Sequence, residues 1–173
     1  MADIDQQPSK DLSSGEAIKK LKEIGEESNS CMFHTNLQSF PGNCRPMAVQ
    51  EVDDDGNMWF VSSTESVKNA DIEKDPNVTV TFQNNSKWEY VVVNGTAEIL
   101  QDPALTEKYW NKFFEAWFDG KDDPRISFIK VKCEDGHYWE TQNGKFASAV
   151  KAMFSAVTGS KMDDGGVDGN LKL

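Results

Sequence analysis

Trp59-Phe60-Val61-Ser62-Ser63-Thr64-Glu65-Ser66-Val67-Lys68 runs from an aromatic, apolar segment into hydroxyl side chains, and a helical pattern begins at Ser66. The apolar run has strand character, and a serine ahead of a helical pattern suits an N-cap. A strand that empties into a helix start can also hold an anion. Backbone N–H groups, hydroxyls on Ser62, Ser63, Thr64 and Ser66, and the Lys68 ammonium can converge on one phosphate. The competing explanation is a solvated lysine on a surface helix, with Ser66 only capping it. Arg45-Pro46-Met47, at the start of another apolar segment, offers a second cation.

Hairpin signals surround this stretch. Residues 45–52 carry Met47, Val49 and Val52, Asp53-Asp54-Asp55-Gly56 has turn composition, and residues 57–62 return as the partner strand. Residues 31–36 form a shorter strand candidate. The helix over 66–75 is closed by Pro76, because the residue before proline avoids helical geometry. Strands are expected over 78–83 and 89–100, where Val78, Val80 and Phe82 alternate with threonines as one buried face requires. Asp102-Pro103 supplies a cap and a first helical position for a helix carrying Leu105, Tyr109, Trp110, Phe113, Phe114 and Trp117. Residues 126–133 and 137–141 are expected as a hairpin around Glu134-Asp135-Gly136, followed by a helix over 145–157. Upstream, Ser13 and Glu16 have capping-box spacing, and Ala17, Ile18, Leu21 and Ile24 form a helical stripe that stops near Gly25.

The order gives a mainly β (α+β) domain over residues 13–158, with six or seven antiparallel strands and flanking helices. Closure or near-closure into a barrel is favoured because it removes exposed sheet edges. Residues 1–12 and 159–173 are expected as flexible tails.

Composition narrows the function. A net charge of −11 over 173 residues argues against a nucleic-acid or anionic-membrane surface, which needs excess Lys and Arg. The only arginines are Arg45 and Arg125, too few to grip several anionic groups at once. No apolar run approaches membrane-span length, and the N-terminus lacks the layout of a signal peptide. Cys31, Cys44 and Cys133 make no disulfide framework, so a reduced, cytoplasmic chain is expected. No metal is expected. Cys31 and His34 point to opposite faces of a strand, and Cys133 and His137 lack a second ligand pair. No Ser-His-Asp or Cys-His motif assigns a nucleophile, so the catalytic residues are left unassigned. Of the aromatic set that includes Trp59, Tyr90, Trp117 and Trp139, most belong to the core, with one or two free for a flat ligand or a dimer contact.

Four segments together resemble the flavin-binding split-barrel family related to pyridoxamine 5'-phosphate oxidase, in its general stress protein branch. They are Arg45-Pro46-Met47, Trp59 to Ser63 with Ser66-Val67-Lys68, Val91-Val92-Val93-Asn94-Gly95-Thr96-Ala97-Glu98, and Trp117-Phe118-Asp119-Gly120-Lys121-Asp122-Asp123-Pro124. The resemblance spans roughly residues 13–145 and implies a split β-barrel homodimer with FMN, or FAD, at the subunit interface. By matching position it implies that Arg45 and Lys68 contact the flavin phosphate. Met47, Ala48, Val49 and Gln50 would follow the ribityl chain and ring edge. Val61 and Ser62 would lie beside ring and phosphate, with Ser63, Ser66 and Val67 around Lys68. Tyr90 would contact the flavin from the second subunit, and Trp139 would neighbour the ring. The shortage of arginines argues against oxidation of pyridoxine phosphate itself, which needs a second phosphate site. The expected function is an FMN-binding general stress protein acting as a flavin-dependent oxidoreductase. The alternatives are a flavin-sequestering module without turnover and a cofactor-free barrel whose interface serves assembly.

Overall fold

Alternation of apolar and polar residues builds the sheet. The structure, a computed structural model, describes residues 9–28, 30–38, 43–141 and 166–173. In chain order these form β1 (Leu12–Ser13), α1 (Gly15–Ser28), β2 (Cys31–Thr35), β3 (Asn43–Met47), β4 (Glu51–Val52) and β5 (Met58–Ser63). Then come α2 (Val67–Lys74), β6 (Asn77–Asn84), β7 (Glu89–Leu100), α3 (Pro103–Tyr109), a 3-10 turn (Lys112–Ala116), β8 (Ile126–Thr141) and β9 (Gly166–Lys172). The strands follow one path, β1-β9-β8-β7-β6-β2-β3, and β5 pairs separately with β4 and β8.

The mainly β split barrel expected from the sequence is present, with nine strands where six or seven were expected. The hydrogen-bonded path is an open one, and its one parallel pair joins β1 to β9. Phe33, Met58, Phe60, Val80, Phe82 and Val91, all essentially inaccessible, fill the barrel from alternate strand positions. Leu21 and Ile24 of α1 join this core from one side. The opposite face of β5 supplies Val61 to a second, smaller core built from Phe114, Phe118, Ile126 and Phe128. β5 is therefore the partition between two apolar clusters, and its C-terminal end opens at their seam.

Several boundaries differ from expectation. The chain at 126–141 is one 16-residue strand, not a hairpin. Gly136 does not turn: it pairs with Val93 on β7, and a Cβ there would lie 2.4 Å from the Val92 carbonyl oxygen. Gly95 is as tight, 2.3 Å from the Lys132 carbonyl oxygen, and the register shift between Asn94 and Gly95 leaves Glu134 as the extra residue of a bulge. Glycine thus permits close backbone approach within a continuous ladder.

The segment 45–52 is interrupted rather than continuous, with β3 ending at Met47 and β4 beginning at Glu51. The helix expected to stop near Gly25 continues to Ser28, with Gly25 buried inside it. Its capping position falls at Ser14, whose carbonyl accepts the Ile18 N–H at 3.0 Å, because Ser13 is already committed to β1. Residues 112–116 form a separate 3-10 turn capped by Asn111, not an extension of α3.

Both tails need correction where they are described. Residues 166–172 form β9 against β8, with Val167 and Leu171 buried, so the chain end is a structural strand rather than a flexible tail. Lys10 and Leu12 dock on it in turn: the Lys10 N–H reaches the Asp168 carbonyl at 2.7 Å, and the Tyr138 hydroxyl donates to the Lys10 carbonyl at 2.7 Å. The polar composition of these ends hid two short apolar anchors, Leu12 and Leu171, that pair directly with each other. The helix expected over 145–157 lies outside the described residues.

Candidate functional site

The end of β5 meets the start of α2 at a cleft of about 440 Å³, within the roughly 300–1,000 Å³ of small-molecule sites. One wall comes from Pro46 and Met47 at the end of β3 and from Ala48 and Gln50 after it. The floor is Val61, Ser62 and Ser63 of β5, with Lys68 at one end. The far wall is Phe113, Phe114, Trp117 and Phe118. Lys68 is the only ionisable group among the described residues of the lining.

Ser66 is the N-cap of α2: its side chain accepts the Asn69 N–H at 3.3 Å, as the sequence pattern requires. The Ser66 hydroxyl then donates to Asn69 Oδ1 at 2.9 Å, and the buried Ser62 hydroxyl donates to the same atom at 2.6 Å. Asn69 Nδ2 donates to Ser127 Oγ on β8 at 3.0 Å. Ser62 and Ser66 therefore spend their protons on a structural network that ties β5, α2 and β8 together. Of the three serines, Ser63 brings to the cleft a hydroxyl that only accepts, from the Glu65 N–H at 3.3 Å. The N–H groups of Val67 and Lys68 meet no acceptor among the described residues, as the first turn of a helix leaves them.

Lys68 is half-buried and forms no ion pair among the described residues. Burial, and then the positive charge of Arg45, depress its pKa below the ordinary lysine value. Arg45 stands behind it, outside the lining, with Nη1 donating to Thr35 Oγ1 at 3.0 Å and Nη2 3.7 Å from Asp71 Oδ2. In an acidic protein, two cations that repel each other beside three orphan donors make an arrangement complementary to a phosphate group.

The other expected site residues divide. Met47, Ala48, Gln50 and Val61 line the cleft, whereas Val49 packs on the main core and turns into a separate groove with Lys22, Gly25 and Glu26. The Val67 side chain points to solvent and is absent from the lining. Tyr90 and Trp139 are cross-strand partners on β7 and β8. Trp139 is eleven residues along β8 from Phe128, which pairs with Val61. That is about 36 Å of strand at 3.3 Å per residue. One chain does not bring them to its own cleft.

Sequence reasoning missed Asn69, Ser127 and the role of the aromatic wall. Phe113 and Trp117 are 68% and 56% exposed, yet their rings sit 4.7 Å apart at the cleft. Their four-residue spacing was visible, but it looks the same as a buried helical stripe. Among the described residues no cluster of His, Cys, Asp and Glu could hold a metal, and no helix is long and apolar enough to cross a membrane.

Protein bli-3 of Neurospora crassa is 32% identical over 124 residues, covering 64% of this chain and 59% of that protein. General stress protein 26 of Bacillus subtilis is 36% identical over 81 residues, 45% of this chain and 58% of that protein. The chain thus spans about three-fifths of the length of the curated relatives it matches. The crystal structure of the general stress FMN/FAD binding protein from Xanthomonas citri superimposes with a TM-score of 0.61 at 23% identity, covering 72% of this chain and 87% of that one, a likeness of fold. The family model described as pyridoxamine 5'-phosphate oxidase like matches residues 16–163, the described lining of the cleft included, and the chain belongs to that family.

Proposed function

We propose that the cleft binds a flavin mononucleotide and that the protein is a flavoprotein of the general stress type. The observation that carries this reading is Lys68: a half-buried ammonium with no ion pair among the described residues, at the end of a cleft whose other described lining residues are uncharged, with Arg45 behind it. The donor set fits a phosphate monoester, for which Lys68, Arg45, the Ser63 hydroxyl and the Val67 and Lys68 N–H groups are the ligands. Val61 and the wall of Phe113, Phe114, Trp117 and Phe118 suit a flat aromatic ring system. FAD fits the same reading where its second phosphate lies outside the cleft. The binding named for the Xanthomonas citri protein supports the assignment by analogy of fold. The three cysteines, all free, suit a reducing compartment such as the cytoplasm.

A bound flavin would supply hydride or electron transfer, and the chain would supply its position and surroundings. Lys68 and Arg45 anchor the phosphate, Met47, Ala48 and Gln50 flank the chain that leads from it, and the aromatic wall excludes water from one side. A second copy is needed for Tyr90 and Trp139 to reach a flavin. We therefore propose a homodimer with its cofactor at the interface.

One observation favours a narrower role, flavin binding without turnover. Among the described residues, the lining offers no carboxylate, imidazole or phenol that could move a proton. The protein as purified is expected to absorb in the visible range and to release FMN on denaturation. A colourless protein that also ignores added FMN overturns the proposal. Bleaching of bound flavin by NADH or NADPH marks an oxidoreductase, and its absence with either donor marks the sequestering role.

A further inference from the structure

We infer that Thr35 and Asp71 are positioning residues for the phosphate subsite, holding Arg45 beside Lys68 through a hydrogen-bond relay. This rests on the reading of the cleft as a flavin-phosphate site. Two cations with no anion between them repel, and a free arginine would relieve the repulsion by swinging into water. Something must keep Arg45 in place, and the structure supplies it from three elements. Asp71 of α2 presents one oxygen, Oδ2, to two donors: the Thr35 hydroxyl at 2.7 Å from β2, and Asn43 Nδ2 at 2.8 Å from β3. Thr35 and Asn43 are direct partners across the β2–β3 ladder, so the backbone sets both donors at once.

The consequence falls on Thr35. Its side chain is fully buried and its single proton is spent on Asp71, so its oxygen is left as an acceptor only. Arg45 Nη1 fills that acceptor at 3.0 Å, and Arg45 Nη2 lies 3.7 Å from the same carboxylate oxygen. Burial alone would raise the Asp71 pKa. The bonds from Thr35 and Asn43, with the charge of Arg45, outweigh it and keep the carboxylate ionised below its ordinary range. The relay therefore points one way, from guanidinium to hydroxyl to carboxylate. It presets the Arg45 geometry before any ligand arrives, which lowers the ordering cost of binding.

The test compares FMN with riboflavin, which has the same ring system and no phosphate. Fluorescence titration of the full chain is run on the wild type, Thr35→Val, Thr35→Ser and Asp71→Asn. Thr35→Val keeps the shape and removes the acceptor, so FMN affinity is expected to fall roughly tenfold with riboflavin affinity unchanged, and Thr35→Ser should restore it. Asp71→Asn should also weaken FMN binding. Coulomb's law alone gives the opposite sign there, since removing a negative charge near a phosphate should tighten it. Wild-type FMN affinity in Thr35→Val, an equal loss for both flavins, or tighter FMN binding in Asp71→Asn each overturns the relay. Should Thr35→Val not fold, the sign in Asp71→Asn decides. A wild type that binds FMN no better than riboflavin overturns the phosphate reading itself, and the relay with it, without recourse to any variant.

Discussion

Lys68 and Asn69 are neighbours on one turn of α2, and burial gives them opposite tasks. Asn69 is 2% exposed and satisfies every polar atom it carries within the protein, joining Ser62, Ser66 and Ser127. Lys68 faces the cleft with no partner among the described residues and a depressed pKa. If Lys68 is a phosphate ligand, Lys68→Ala should cost about 1.5–3 kcal/mol of FMN binding, the scale of a hydrogen bond to a charged group. That is roughly ten- to a hundredfold in Kd. Unchanged affinity in a fluorescence titration would remove Lys68 from the site. The lysine was legible because its signal is local: hydroxyls, a cap and a cation within ten residues. Asn69 was not, since an asparagine in a helix carries no mark of the strand serines it will meet. Only the approach of β8 to α2 makes it a hub.

At the scale of elements, the β4–β5 hairpin carries the cleft floor and is held by Asp53. Its carboxylate accepts from the Asp55 N–H at 3.0 Å, the Asn57 N–H at 2.8 Å, the Asn57 side-chain amide at 3.0 Å and the Trp59 indole at 2.9 Å. Burial pushes its pKa up, but these donors together hold it below the ordinary value. A carboxylate depressed in the folded state contributes stability that is present above its unfolded pKa, about 4, and lost as pH falls through the folded value. Asp53→Asn should therefore cost about 1 kcal/mol at pH 7. The gap to wild type should narrow as the pH drops below about 4. Urea denaturation at pH 7, 4 and 3 measures this, and a gap that widens toward acid would contradict it. This turn was plain in the sequence, because Asp and Gly clusters specify turns on their own. Gly136 carried the same composition and became part of a strand. The twelve residues of β7 offered a continuous ladder, and that long-range pairing outweighed the local turn signal.

For the whole molecule, the decisive relation is the distance between the cleft and Tyr90 with Trp139. Those residues sit at the far end of β7 and β8, with Trp139 41% exposed. Exposed tryptophan is enriched at interfaces, and a second copy is what would bring these rings to a cleft. Sedimentation at micromolar concentration should give a dimer, and Trp139→Ala should alter flavin affinity or the dimer constant. A clean monomer that binds flavin with wild-type affinity in Trp139→Ala would separate these residues from the site. Strands β2, β5, β6 and β7, the cap of α2 and the placing of two cations, Arg45 and Lys68, near one strand end followed from the residues in order. Periodicity and capping act over a few residues. The docking of both chain ends on the sheet, the single long β8, the Asn69 hub and the Thr35–Asp71 hold on Arg45 emerged only once the chain was folded. Each depends on groups far apart in sequence, whose meeting is set by the sheet's pairing and not by any local preference.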